Sequence, residues 1–361
     1  MSEDSAHFSS NGLTLSLLEH LKRHPKRLVF PEGEDIRLLH VAEYLVGQEA
    51  VIPILLGRRE VIVNMAKEAG ICLRFIRIIE PEKSSDFELF CERFTRVEKM
   101  KGNDPGNVRE IMKSPFNFAS MMALYGQADA VLAGNLHGSA PVFRAVSRYK
   151  KEPEQGNPLF AISVVVCEHL KKLGGDGIFF IADAGVSPVP GVSDMAYYAV
   201  ETGKMARHIL GRPVQVSMIS ASTNGSIPGV PSQRAHAAAV LAQSQLEQLN
   251  IGEHITVEGE IQIDAALSPA AYNMRVQHSV LRKPSDVLIF PTLDSADIAR
   301  KLLAMLPGVS EYGMVIQDIL FPIAEVSRLA TIDQIYGASL LVANEAIQFH
   351  ELYPNGQALL Y

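Results

Sequence analysis

Short apolar runs and longer amphipathic stretches alternate along this chain. The short runs are rich in Val, Ile and Phe: Arg27–Phe30, Val51–Leu56, Ala130–Leu132, Phe160–Val166, Ile178–Ile181, Gln215–Ile219 and Asp286–Phe290. Between them, apolar positions recur at helical spacing over Ile36–Val46, Ser193–Leu210, Ser232–Leu249 and Ser295–Leu306. Continuous apolar runs of strand length suit parallel strands buried on both faces, and amphipathic stretches suit the helices that cover them. The pattern predicts an α/β fold. Two polar stretches carrying Pro and Gly, Lys150–Asn157 (KKEPEQGN) and Pro307–Tyr312 (PGVSEY), are candidate domain crossings. A chain of 361 residues is long for one ordinary domain and fits two.

Composition narrows the partners. At 47% hydrophobic and 20% charged, the chain can bury a sizeable core. A formal net charge of -7 argues against nucleic acid, whose phosphate backbone needs a basic face, but leaves room for a small anion in a local pocket of arginines. Cys72, Cys91 and Cys167 show no CxxC spacing, which fits a reducing compartment better than a disulfide framework. The first residues, Met1 to Gly12, lack the apolar core of a signal peptide, and no apolar run is long enough to cross a bilayer. The expectation is a cytoplasmic protein without a membrane partner.

In parallel α/β sheets ligands gather at the carboxyl ends of strands. Five such junctions here are rich in polar or special-geometry residues: Phe30–Asp35, Gly134–Ser139, Ala182–Pro190, Ser220–Gly229 and Pro291–Asp297. In Ser220–Gly229, the small hydroxylated residues Ser222, Thr223 and Ser226 would let backbone N–H groups approach an anion at a helix start, or would merely cap that helix. Arg144 and Arg148 share one helix face, beside His137; they read either as a phosphate clamp or as a solvated face with a structural histidine. Ser327 and Arg328 combine a hydroxyl with a planar fork suited to phosphate, or mark a surface Arg ahead of a helix capped by Thr331. No GxxxxGK[ST], HExxH or GxSxG motif occurs, and the histidines are scattered, so no metal site is expected. The spacing of Asp294 and Asp297 could suggest a metal-dependent dehydrogenase, but it is commonplace at a helix start.

Read together, six blocks resemble the phosphate acetyl/butyryltransferase family. They are FPEGEDIR (30–37), ILLG (54–57), ADAVLAGNLHGSAPVFR (128–144), GEIQIDAAL (259–267), DVLIFPTLDSADIARK (286–301) and SRLATIDQI (327–335), collinear over about residues 25 to 345. The resemblance implies a two-domain, three-layer α/β/α fold with mainly parallel sheets, of isocitrate/isopropylmalate dehydrogenase-like architecture. Its first domain would comprise 1–155 with 316–361 and its second 156–315, with the active-site cleft between them in a homodimer. It implies reversible transfer of an acetyl or other short acyl group between acyl phosphate and coenzyme A, with coenzyme A as a substrate and no metal or covalently bound cofactor.

By the same resemblance, Ser327 would donate to the acyl carbonyl oxygen and Arg328 would hold the phosphate. Arg144, His137 and Asp294 would lie on the substrate side, with Ser222, Thr223 and Ser226 contributing to the anion pocket. The family's acidic base falls at Gln334, which cannot accept a proton, leaving Asp333 next to it as the candidate. That substitution keeps a second reading in view, a non-catalytic protein that senses acyl-CoA or acyl phosphate.

Overall fold

A computed structural model describes residues 8, 10–151, 157–171, 175–275 and 284–352. Its strands, in chain order, are β1 (Lys26–Phe30), β2 (Val51–Leu56), β3 (Arg77–Ile79), β4 (Ala130–Ala133), β5 (Phe160–Cys167), β6 (Ile178–Ala182), β7 (Val214–Ile219), β8 (Ile255–Ile261), β9 (Val287–Ile289), β10 (Val309–Gln317) and β11 (Ile323–Glu325). They belong to two compact units, Met1–Glu152 with Asp318–Tyr361, and Pro153–Gln317. Part of the candidate crossing 150–157 lies outside the described residues.

In the first unit the strands run in the order β3-β2-β1-β4-β11, and every pair is parallel. Pro53 sits inside β2 without breaking it. β3 joins that side of the ladder only from Ile54 onward, so the missing N–H leaves no partner stranded. Helices Pro115–Leu124 and Ile332–Leu352 both pack on β1 and β4, which are therefore covered on both faces. The helix Ile332–Leu352 also reaches Gly12–Arg23 and Ile36–Gly47. Within it, the buried Asn344 amide donates to Leu17 O and Leu340 O, fastening it to the first helix.

In the second unit the order is β10-β5-β6-β9-β7-β8. The pairs β6/β9, β9/β7 and β7/β8 are parallel. Against the expectation of parallel pairing, β5 is antiparallel to both β10 and β6. All eight residues of β5 are buried, and a run buried on both faces carries no alternation that would betray its direction. The helix Val192–Leu210 packs so closely on this sheet that a Cβ on Gly203 would lie 2.8 Å from Ile255 Cγ2.

The entry into β4 is pinned to β1 by a bidentate ion pair. Asp129 accepts Arg27 Nη2 at 2.6 Å and Nε at 3.1 Å, and also the Arg27 backbone N–H at 2.6 Å. Burial alone would push the Asp129 carboxyl up; the Arg27 hydrogen bonds and charge outweigh it and hold it below its ordinary value. A group depressed in the folded state stabilises above its unfolded pKa of about 3.9 and loses that contribution as the pH falls through its folded value. Arg27→Ala should cost about 1–2 kcal/mol at pH 7, less than a fully buried charged hydrogen bond because Arg27 is partly exposed. In urea titrations the gap between variant and wild type should narrow as the pH drops below about 4.

Candidate functional site

In the first unit, β2 and β3 lie to one side of β1 while β4 and β11 lie to the other. Loops leaving the carboxyl ends of β1 and β4 therefore turn apart, the arrangement that opens a ligand crevice. Three loops meet there: Pro31–Asp35 after β1, Gly134–Gly138 before the helix Ser139–Val146, and Val326–Thr331 before the helix Ile332–Leu352.

Arg37 ties the three together. Its Nε and Nη2 donate to the two oxygens of Asp35, which itself caps the helix Ile36–Gly47. Nη2 also donates to Asn135 O at 2.7 Å, and Nη1 donates to Arg328 O at 2.9 Å and Ala330 O at 2.7 Å. A guanidinium carries five N–H donors, and here all five are used. Glu32 does the complementary work from below. Its side chain is buried and accepts the backbone N–H groups of Gly134, Leu136 and His137, and the ring Nδ1 of His137 at 2.7 Å. Gly134 is at φ +101°, and a Cβ on it would stand 2.3 Å from Val326 O, so β4 and β11 close on each other only with glycine there.

Beside these loops opens a cavity of about 690 Å³, lined by residues that include Pro31, Leu56, Leu136 and His137, with Arg58, Lys83 and Lys113 among the charged groups. Each of these cations has a carboxylate partner. Arg58 pairs with Glu34 at 2.6 Å and its hydrogen bonds hold that carboxyl below its usual range; Lys83 pairs with Glu80, and Lys113 with Glu110.

Ser327 and Arg328 are exposed on the third loop. Ser327 Oγ accepts the Leu329 N–H at 3.2 Å, and the Arg328 guanidinium has no partner among the described residues. Gln334 and Thr331 form a capping box: Thr331 N–H donates to Gln334 Oε1, and Gln334 N–H to Thr331 Oγ1. The amide at 334 is thus turned toward its own helix end, and Asp333 lies in that helix's first turn. Arg144 is exposed and likewise without a partner among the described residues. It does not share a helix face with Arg148, because the helix ends at Val146 and Arg148 falls in the 3-10 turn Ser147–Tyr149, paired with the buried Glu98 at 3.3 Å.

The second unit holds the other expected residues. Ser222 and Thr223 are buried. Ser222 Oγ donates to the buried carboxylate of Glu260, which also accepts the Gly225 N–H, while Thr223 Oγ1 accepts the Gln262 N–H. Ser226 Oγ accepts the Thr223 N–H. The Ser222 hydroxyl and the Gly225 N–H thus face the protein's own anion, Glu260. Asp294 is exposed in the first turn of the helix Leu293–Ala304, and Asp297 is engaged by Arg300 and Lys301. Among the described residues no cluster of three or more His, Cys, Asp or Glu is placed to hold a metal ion. Nor is any described helix long and apolar enough to cross a membrane.

Residue types alone single out His137, Ser327 and Arg328 but pass over Glu32 and Arg37, although both stand in the FPEGEDIR block. Their signal is a glutamate and an arginine flanking a helix cap directly after a buried strand.

In an α/β unit, polar loops gathered at a topological switch point mark the place where such folds bind ligands. Comparison with known proteins narrows this. Residues 13–343 match the family model described as phosphate acetyl/butaryl transferase, and the chain belongs to that family. It is 29% identical over 316 residues to a phosphate acetyltransferase of Thermoanaerobacterium thermosaccharolyticum, covering 87% of this chain and 93% of that one. To a phosphate acetyltransferase of Treponema pallidum it is 30% identical over 318 residues, covering 87% and 92%. Among solved structures it resembles the EutD phosphotransacetylase from Staphylococcus aureus, with a TM-score of 0.81, 26% identity, and coverage of 93% of this chain and 100% of that one.

Arg37→Lys keeps the charge but not the planar fork. It should leave carbonyls of the second and third loops unpaired and lower the unfolding free energy by about 1–3 kcal/mol in denaturant titrations.

Proposed function

We propose that this chain catalyses reversible transfer of a short acyl group between acyl phosphate and coenzyme A. The reading is carried by the membership of residues 13–343 in the phosphate acetyl/butaryl transferase family. The exposure of the Ser327–Arg328 loop at the carboxyl end of β11 is compatible with that chemistry.

The reaction needs a thiolate, an electrophilic carbonyl and a stabilised phosphate leaving group. Arg328, uncommitted to any described carboxylate, is assigned to the phosphoryl oxygens, where its fork can bind two at once. Ser327 is assigned to the acyl carbonyl oxygen, as a donor that strengthens when negative charge develops there. Arg144, also exposed and uncommitted, is assigned to an anionic part of coenzyme A. His137 lines the cavity on the substrate side, and Asp333 stands near the same loop. Ser222, Thr223, Ser226 and Asp294 are assigned a supporting part in substrate binding. For Ser222 and Thr223, buried against Glu260 and Gln262, that part is to shape the loop and not to touch the anion directly. We place the protein in the cytoplasm as a homodimer, acting without a metal ion.

The test is thioester formation from coenzyme A and acetyl, propionyl or butyryl phosphate. Wild type should turn over at least one of them, and Arg328→Ala should lower kcat/KM by ~10²–10³, the cost of one preorganised donor to developing charge. Binding of acyl-CoA with no turnover on any of the three would overturn the catalytic assignment.

A further inference from the structure

We propose that Glu32 and His137 form the general base of this site, with His137 Nε2 taking the proton of the coenzyme A thiol. The inference rests on the acyl-transfer reading above and names the residue that this reading leaves without an occupant.

The geometry fixes the tautomer. Glu32 Oε1 lies 2.7 Å from His137 Nδ1 and also accepts the Leu136 and His137 backbone N–H groups. An ionised carboxylate only accepts, so Nδ1 must carry the hydrogen, and the neutral ring presents its lone pair at Nε2. Glu32 is almost wholly buried while the His137 side chain is 59% exposed, so the carboxylate is a fixed support and the far ring edge is open to a ligand. The Phe116 ring meets the imidazole edge-on at 5.7 Å between centroids and limits its swing. This is the arrangement by which a second group orients a catalytic histidine.

Its placement is equally specific. Arg37 holds Asn135 O together with Arg328 O and Ala330 O, so the loop bearing His137 and the loop bearing Ser327 and Arg328 are neighbours. Glu34, Arg58, Lys83 and Lys113 line the same cavity, but the three cations are each engaged by a carboxylate. Glu32 is the charged group in contact with the ring.

The alternatives around the third loop are weaker bases. Gln334 has no basic lone pair, and its amide is engaged in the capping box. Asp333 is a carboxylate, and carboxylates as a class are weaker bases toward a thiol than imidazoles. The proton passes from sulfur to His137 Nε2, and the thiolate attacks the acyl carbon. The carbon–sulfur bond forms as the carbon–oxygen bond to phosphate breaks, and the proton leaves with the hydrogen phosphate product.

The test compares wild type, His137→Gln and Asp333→Asn, with coenzyme A and the acyl phosphate that wild type uses. His137→Gln should lower kcat by ~10²–10⁴ with KM within a few-fold and an unchanged melting temperature. It should abolish the acid limb of the kcat–pH profile, and added imidazole should restore part of the rate. A purely structural histidine would instead lower the melting temperature and give neither the pH change nor the rescue.

A second readout needs no turnover. In a Cys72→Ser background, which removes the exposed thiol, the rate at which iodoacetamide alkylates bound coenzyme A at pH 7 should fall on His137→Gln. An alkylation rate and pH profile indifferent to His137, or an acid limb lost in Asp333→Asn instead, would overturn the proposal and leave acyl transfer standing. Binding without turnover in wild type would overturn acyl transfer while the alkylation rates still decide the role of His137. Failure of coenzyme A to bind would overturn both.

Discussion

The guanidinium of Arg37 is the contact on which the rest of the first unit's working end depends. Loops after β1, β4 and β11 have no ladder of their own to define their shape, and each offers Arg37 an acceptor, a carboxylate in the first and carbonyl oxygens in the other two. One side chain from the start of the helix Ile36–Gly47 supplies the donors: Asp35 and the carbonyls of Asn135, Arg328 and Ala330 take all five of its hydrogens. A planar fork can do this because its directions are set by bonding and not by rotamers, so little freedom is lost for each bond formed. Arg328 is thus held through its backbone carbonyl, and its side chain stays exposed.

A second theme runs through both units. Where a turn points several N–H groups inward, a carboxylate of the chain itself fills the cradle. Glu32 takes three backbone N–H groups of the 134–137 loop, and Asp183 takes those of Ala161, Gly185, Val186 and Ser187. Glu260 receives the Gly225 N–H and the Ser222 hydroxyl. Glycine- and serine-rich loops that look like anion sites can therefore be satisfied from within. Arg144 and Arg328, by contrast, are exposed and without a partner among the described residues.

Much of the fold is legible in the order of residues alone. Val51–Leu56 has the same bounds as its apolar run, and the strands beginning near Arg27, Ala130, Phe160, Ile178 and Gln215 shift by a residue or so. The strands that escape such a reading have weaker signals. β3 and β11 span three residues each, and β10 mixes Ser310, Glu311 and Gly313 into its run. The direction of β5 is invisible for the opposite reason, since an unbroken apolar run reads alike both ways. At the site, His137, Ser327 and Arg328 stand out by chemistry. Glu32 and Arg37 do not, because positioning depends on which loops lie side by side, and residues 32, 135 and 328 are brought together only by the strand order.

The order in which the chain is made gives the split of the first unit a further meaning. Its strands β1 to β4 leave the ribosome early, yet β11, which pairs with β4, and the helix Ile332–Leu352, which packs on β1 and β4, are among the last described residues to be synthesised. A growing chain that has reached residue 317 holds every strand of the second unit, while β1 and β4 still lack the buried face of that helix. Domains generally fold as units at a synthesis rate of about 5–20 residues per second, so roughly two to seven seconds separate the last strand of the second unit from Leu352. For that interval β1 and β4 are without the apolar cover of that helix. Arg328 reaches its place only when the fold that supports it can close.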